Sequence, residues 1–244
     1  MAMSTTSSVA PAGGDRVVSA RDLSTRGEAF VALAASASGR VIGLFLVVAV
    51  VVRAAAGPVR WADLVAVGVV VTLLGPVEWI VHRRLLHAAP DDRLAAVTGT
   101  RDSHLRHHAD PDDLSWLLLR LPNAIVSCLA IVLPFVLLGV AGSRLEVAGP
   151  AEVRAWTATS IVAGLTALAH YEWVHLLVHS RYRPRSRYYA RLDRHHRLHH
   201  FRNEGYWLGV TVDTGDRLFA TLPASPTDVA PSATVRGDAV RRDD

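Results

Sequence analysis

The chain has 244 residues, half of them hydrophobic, a formal charge of +4, a positive mean hydropathy and a single cysteine. One cysteine excludes a disulfide framework and a thiolate metal site, and apolar residues gathered in long blocks exclude an ordinary soluble domain. All 26 basic residues are Arg; they flank the apolar blocks as topology signals do, which argues against a nucleic-acid partner.

In chain order, residues 1–29 are small, polar and rich in Ala, Ser and Gly. They carry no signal-peptide pattern and read as a disordered segment. Four apolar blocks follow, each near the roughly 20 residues that cross a bilayer as a helix. The first runs from Phe30 to Ala56, with Arg40 near its start. The second runs from Trp61 to Val81 and is interrupted by Gly75-Pro76. The third runs from Leu121 to Ala141, with Pro134 and the lone Cys128 inside it, and the fourth from Ala155 to Val178. Residues 224–244 read as a disordered tail, which leaves 30–223 as the membrane domain. The fold class is all-α, a four-helix transmembrane bundle. The short connections 53–60 and 142–154 carry four Arg and the other side carries 22. The positive-inside rule makes that other side, with both termini, cytoplasmic.

All 12 histidines follow span two or close and follow span four, and so lie at that same face. They form His82-x4-His87, His104-x2-His107-His108, His175-x3-His179 and His196-x2-His199-His200. Residues three and four apart share a helix face, so His104 is expected to point with His107 and His108, His175 with His179, and His196 with His199 and His200. His82 and His87 lie roughly 140° apart around an ideal helix, so the helix is expected to end or distort between them. His87, His104, His107 and His108 each have a partner 92 residues later, and His82 pairs with His175 at 93. The chain reads as two similar halves, with the site at their interface built from five ligands per half. His170 and His195 have no counterpart; His196 is preferred to His195 because it completes the His-x2-His-His pattern.

Neutral imidazole suits Fe, Zn, Cu and Ni. Ten are too many for one ion and natural for two, each about five-coordinate with a position open. There is no His-Glu-x-x-His, no nucleophile elbow and no phosphate loop. A bis-histidine haem would need ligands deep in the spans. A site at this depth points to a lipid substrate from the bilayer. Glu78, Glu172 and Asp193 read either as hydrogen-bond partners of ligand rings or as caps and ion pairs with Arg. Tyr206 and Trp207 read as interfacial anchors rather than a lining for lipid.

These clusters, with Phe201-Arg-Asn-Glu-Gly-Tyr206-Trp-Leu-Gly-Val-Thr211 and Gly215-Asp216-Arg-Leu-Phe219-Ala-Thr-Leu-Pro223, resemble the fatty acid hydroxylase/sterol desaturase superfamily from Glu78 to Pro223. Ala220 stands where that family's signature commonly has Gly. The resemblance implies a cytosolic, helical, histidine-rich cap over the bundle. It implies two metal ions, iron with zinc as the alternative, held by His82, His87, His104, His107, His108, His175, His179, His196, His199 and His200. It implies O2 as co-substrate and a lipid substrate. The spacing of His82 and His87 is closer to acyl-chain hydroxylases than to sterol desaturases. No stretch is long enough for a fused cytochrome domain, so a separate ferredoxin- or cytochrome-type donor is expected. The alternatives are a desaturase, a sterol or carotenoid hydroxylase, and a membrane metal-binding or transport protein. Transport is disfavoured because spans one and three carry no polar ligands.

Overall fold

The computed structural model describes residues 19–235. Ten helices follow one another along them: α1 (Arg26–Ala35), α2 (Ala37–Ala55), α3 (Trp61–Val81), α4 (Arg93–Thr98), α5 (Thr100–Ala109), α6 (Leu114–Leu117), α7 (Leu121–Arg144), α8 (Pro150–His179), α9 (Arg187–Phe201) and α10 (Thr214–Leu218). Among the described residues there is no strand, only an isolated bridge between Ser19 and Asp113. Four segments are long and apolar enough to cross a membrane: Ala37–Ala55, Trp61–Leu86, Leu114–Arg144 and Pro150–His179.

The longest of these helices, α8, is the hub and packs against α2, α3 and α7. Its partners bury one narrow stripe each and turn the rest outward, as Val47, Val51, Leu64, Val71, Leu137 and Leu138 illustrate. Outward apolar faces on long helices suit a hydrocarbon solvent. Small residues bring the helices close: a Cβ on Gly164 of α8 would lie 2.7 Å from Ile131 on α7. Cys128 is a fully buried member of the same packed cluster.

Three expectations change. Gly75-Pro76 does not interrupt the second span; α3 runs through it, and Gly75 is where α10 crosses. The first span is broken at Ser36, which ends α1 and caps α2, its Oγ accepting from Gly39 N at 2.9 Å. Finally, the expected disorder does not extend to residue 29 or begin at 224. Residues 1–18 and 236–244 lie outside the described residues. From Ser19 the chain is fixed by polar contacts: Ala20 N donates to the Asp112 carbonyl at 2.7 Å, Arg181 N donates to the Leu23 carbonyl at 2.8 Å, and Thr25 and Glu28 form a capping box. Past residue 224, Arg202 Nε and Asn203 Nδ2 donate to the carbonyls of Val229 and Ala230.

Candidate dimetal centre

Four elements carry the ten histidines to one end of the bundle. After α3 the chain makes a π-helical turn, His82–Leu86, closed by His87 N donating to the His82 carbonyl at 3.0 Å. A π turn stacks residues five apart, so the distortion expected between His82 and His87 is present and brings both rings inward. The last turn of α8 carries His175 and His179. The short helices α5 and α9 lie across this end and carry the two His-x2-His-His triplets. On α9, Arg187, Arg191, Arg194 and Arg197 face out while Leu192, His196, His199 and His200 face in.

The rings gather into two groups of five. His82, His87, His104, His108 and His199 form the first; His107, His175, His179, His196 and His200 form the second. Within each group, one nitrogen per ring lies within 4.8 Å of all the others. Each group therefore draws on both halves. Each half gives four imidazoles to one group and lends the middle histidine of its triplet to the other. The reason is helical geometry: residues four apart nearly align, whereas adjacent residues diverge by about 100°. His104 and His108 thus converge while His107 turns to the second group, and His196 and His200 converge while His199 turns to the first. The 92-residue relation maps one group onto the other, crossover included. The groups share a wall, where the rings of His108 and His200 stack with centroids 4.0 Å apart.

The geometry fits metal ions. In the first group, Nε2 of His104 lies 3.1 Å from Nε2 of each of His82, His87 and His108, and Nε2 of His199 lies 3.1 and 3.2 Å from those of His87 and His108. In the second, His196 Nε2 is 2.9 Å from His179 Nε2 and 3.0 Å from His200 Nε2. A neutral imidazole has one N–H, so His104 can donate to at most one of its three neighbours. Two ligands at right angles on an ion with bonds of about 2.1 Å would sit about 3.0 Å apart. The spacings thus suit coordination and leave a hydrogen-bonded cluster short of protons. His175 Nε2 is buried and makes no hydrogen bond among the described residues. Burial first, then neighbouring imidazoles, push His104, His107, His108, His196, His199 and His200 well below the ordinary histidine range. They are held neutral, the form that binds metal.

The carboxylates support the backbone rather than the rings. Glu78 accepts from Val210 N (2.7 Å), Thr211 N (2.9 Å) and Thr211 Oγ1 (2.7 Å). Glu172 accepts from Leu119 N at 3.1 Å. Leu119 and Thr211 are again 92 residues apart, a signal present in the sequence but invisible until the glutamates' partners are known. Each glutamate thus grips the loop that follows the other half's triplet, so neither of the two roles expected for them holds. Asp193 pairs with Arg197 at 3.0 Å, an ordinary ion pair one turn apart.

The loop gripped by Glu78 also orients two rings. His82 Nδ1 donates to the Leu208 carbonyl at 2.5 Å and His199 Nδ1 to the Tyr206 carbonyl at 3.0 Å. A carbonyl only accepts, so in each neutral ring the proton sits on Nδ1 and Nε2 keeps its lone pair. Asp216, part of the motif quoted from the sequence but given no role there, holds the same loop by accepting from Leu208 N, Gly209 N and Thr221 Oγ1. Thr221 Oγ1 in turn accepts from Trp79 Nε1 at 2.8 Å. Trp207 is only 2% exposed, with φ 52°. It is part of this packed loop and does not anchor at an interface.

The surplus histidines fall outside both groups. His170 stacks on Tyr188, and His195 is half-buried beside Asp213 and Asp216. Two cavities lie against the bundle, and one of them reaches the centre. A polar cleft of about 1030 Å³, rimmed by Arg21, Arg181, Arg183 and Arg197, reaches His179, His196 and His200. An apolar groove of about 540 Å³ lies between α3 and α8, from Arg53, Asp63 and Thr159 along Val67, Val71, Leu74 and Val162 to His170.

A family model described as fatty acid hydroxylase matches residues 64–221, which hold all ten clustered histidines, the Glu78 clamp and the Asp216 loop. A solved structure of full-length Scs7p, with only the hydroxylase domain visible, superposes with a TM-score of 0.61 at 23% identity. The match covers 82% of this chain and 71% of that one and speaks for the fold. Comparison with curated proteins gives no match. Since the family model spans more than half of the sequence, the chain belongs to the fatty acid hydroxylase family.

Proposed function

We propose that the protein is an O2-dependent membrane hydroxylase of a lipid, with a fatty acyl chain as the group attacked and two iron ions held by the ten clustered histidines. The observation that carries this reading is the pair of five-nitrogen groups set side by side at the end of an apolar bundle. Bound iron would supply O2 reduction and cleavage of an unactivated C–H bond. One oxygen atom ends in the alcohol and the other in water, with two electrons and two protons drawn from outside. Zinc fits the same nitrogens but has no redox chemistry.

The chain's own residues supply geometry and dryness. The first group takes His82, His87, His104, His108 and His199; the second takes His107, His175, His179, His196 and His200. The Tyr206 and Leu208 carbonyls keep His199 and His82 in the ligating tautomer. The α3–α8 groove has the size and apolar wall suited to an acyl chain. The histidine end faces the cytoplasm, on the side with most Arg. A separate acidic ferredoxin- or cytochrome-type carrier delivers electrons at the arginine-rimmed cleft, whose four Arg outnumber Asp112 and Asp193.

The test is product mass from purified full-length protein given lipid, O2 and a reductase–carrier pair. Gain of one oxygen atom is expected. Loss of two hydrogens instead would make it a desaturase, and an unchanged lipid with all components present would remove the enzyme reading. Turnover should fall as salt screens the cleft; salt-independent turnover would remove the acidic carrier.

A further inference from the structure

The two histidine groups match in number but not in what holds the rings. In the first, Nδ1 of His82 and of His199 is fixed by carbonyls of the loop 206–211. That loop is itself pinned at four consecutive backbone N–H groups: Leu208 and Gly209 on Asp216, Val210 and Thr211 on Glu78. In the second group, Nδ1 of His107, His175, His196 and His200 is buried without a hydrogen-bond partner among the described residues. Of these rings His175 alone has a backbone carbonyl close enough to act on it, that of Leu117, and this contact falls short of the geometry of the His82 and His199 bonds. The polar cleft reaches His179, His196 and His200 and no ring of the first group.

We propose that the two metal positions are unequal by construction: the ion of the first group is retained, and the ion of the second exchanges with solution through the cleft. This rests on the two-metal reading above. A ring held at its second nitrogen returns to the ion instead of rotating away, and loss of such outer hydrogen bonds typically costs 10–100-fold in metal affinity. Exposure of the ligand rings, taken alone, predicts the reverse order. Two rings of the first group, His87 and His108, are part-exposed, against His179 alone in the second. The order of loss therefore separates ring exposure from anchoring and cleft access, and Asp216→Asn separates those two.

The experiment uses the full chain in detergent, loaded with Zn²⁺ alone and challenged with EDTA while bound metal is measured by elemental analysis. The expected result is two phases of equal amplitude with rates about 10–100-fold apart. At the half-depleted point, brief diethyl pyrocarbonate treatment should mark His196 and His200 and spare His104 and His199. A single phase, or the opposite marking, overturns the inference. Asp216→Asn sets an amide N–H2 against a backbone N–H of the loop, so it should speed the slow phase and leave the fast one unchanged. A slow phase that persists in folded Asp216→Asn would remove the loop from the explanation; if that variant does not fold, the wild-type phases still decide. A starting content below two metals per chain strikes the two-metal reading and the inference with it, whereas two ions that leave together strike the inference alone.

Discussion

Each end of the bundle buries a polar cluster, and the two are built on opposite principles. At the end away from the histidines, Arg53 Nη2 donates to Asp63 Oδ2 at 2.7 Å, Arg53 Nε donates to Thr159 Oγ1 at 2.6 Å, and Thr159 Oγ1 donates to the other Asp63 oxygen. Arg60 N and the Gly57 carbonyl complete the set. Donors and acceptors are matched, so the cluster is closed and ties α2, α3 and α8 together. At the histidine end, ring nitrogens converge at 2.9–3.2 Å with too few protons to satisfy one another. Buried polar groups are normally hydrogen-bonded. A cluster that closes on itself is architecture; one that converges and stays short is built for a ligand.

The sharpest way to break this contrast is to remove ligands and count metal. His107→Ala and His196→Ala should each leave one ion per chain and abolish turnover. The double variant should lose no more than either single, because both rings serve one ion. His104→Ala combined with His107→Ala, two residues of a single helix, should lose both ions. If that pair retains one ion, the crossover is wrong. His195→Ala should keep two, since its ring belongs to neither group.

At the closed end the effect should appear in stability and not in metal. Asp63→Ala leaves the 12%-exposed Arg53 guanidinium without its partner. Removing one member of a buried pair costs about 3–5 kcal/mol, so the thermal midpoint should fall clearly while two ions remain. Loss of metal at unchanged stability would reverse the roles assigned to the two ends.

Glu78 lies between these cases, a satisfied group that serves the unsatisfied one. Glu78→Ala strands three buried donors, and an unmet buried donor costs about 1–3 kcal/mol. It should loosen the His82–Leu208 bond and speed metal loss. Glu78→Gln keeps an oxygen for Val210 N and Thr211 N, and the Thr211 hydroxyl can turn to accept from the amide, so it should behave close to wild type. Equal damage from both would mean the carboxylate charge matters and the clamp does not.

The sequence showed the four spans because length and apolarity are local properties, and it singled out the ten histidines because eight of them recur at helical spacing and the whole set repeats along the chain. The allocation of those ten was hidden by one step of helix geometry, the 100° that separates His107 from His108. The partners of Glu78 and Glu172 were hidden because they are backbone groups far along the chain, which no side-chain pattern encodes. The break at Ser36 and the ordered stretch from Ser19 depend on caps and backbone hydrogen bonds in Ala/Ser-rich sequence, where composition suggests disorder. Trp207 looked like an interface residue by type; its burial is set by the loop around it.

The smallest predicted effect concerns Ala220, the position where the resembling signature prefers Gly. It follows α10 in the left-handed region, φ 56°, and is exposed. Thr221 N donates back to the Asp216 carbonyl at 2.8 Å and Phe219 N to the Gly215 carbonyl at 2.9 Å, the pattern of a helix end that favours glycine at this position. That turn delivers Thr221 to the Asp216 carboxylate and the Trp79 indole, so the strain at Ala220 is borne by the frame behind the first metal position. An L-residue there costs roughly 1–2 kcal/mol, partly offset by the greater freedom of glycine when unfolded. Ala220→Gly should therefore raise stability by about 1 kcal/mol or less, with two ions retained and turnover unchanged. A thermal midpoint that drops would show that the methyl group makes a contact worth more than the strain it imposes.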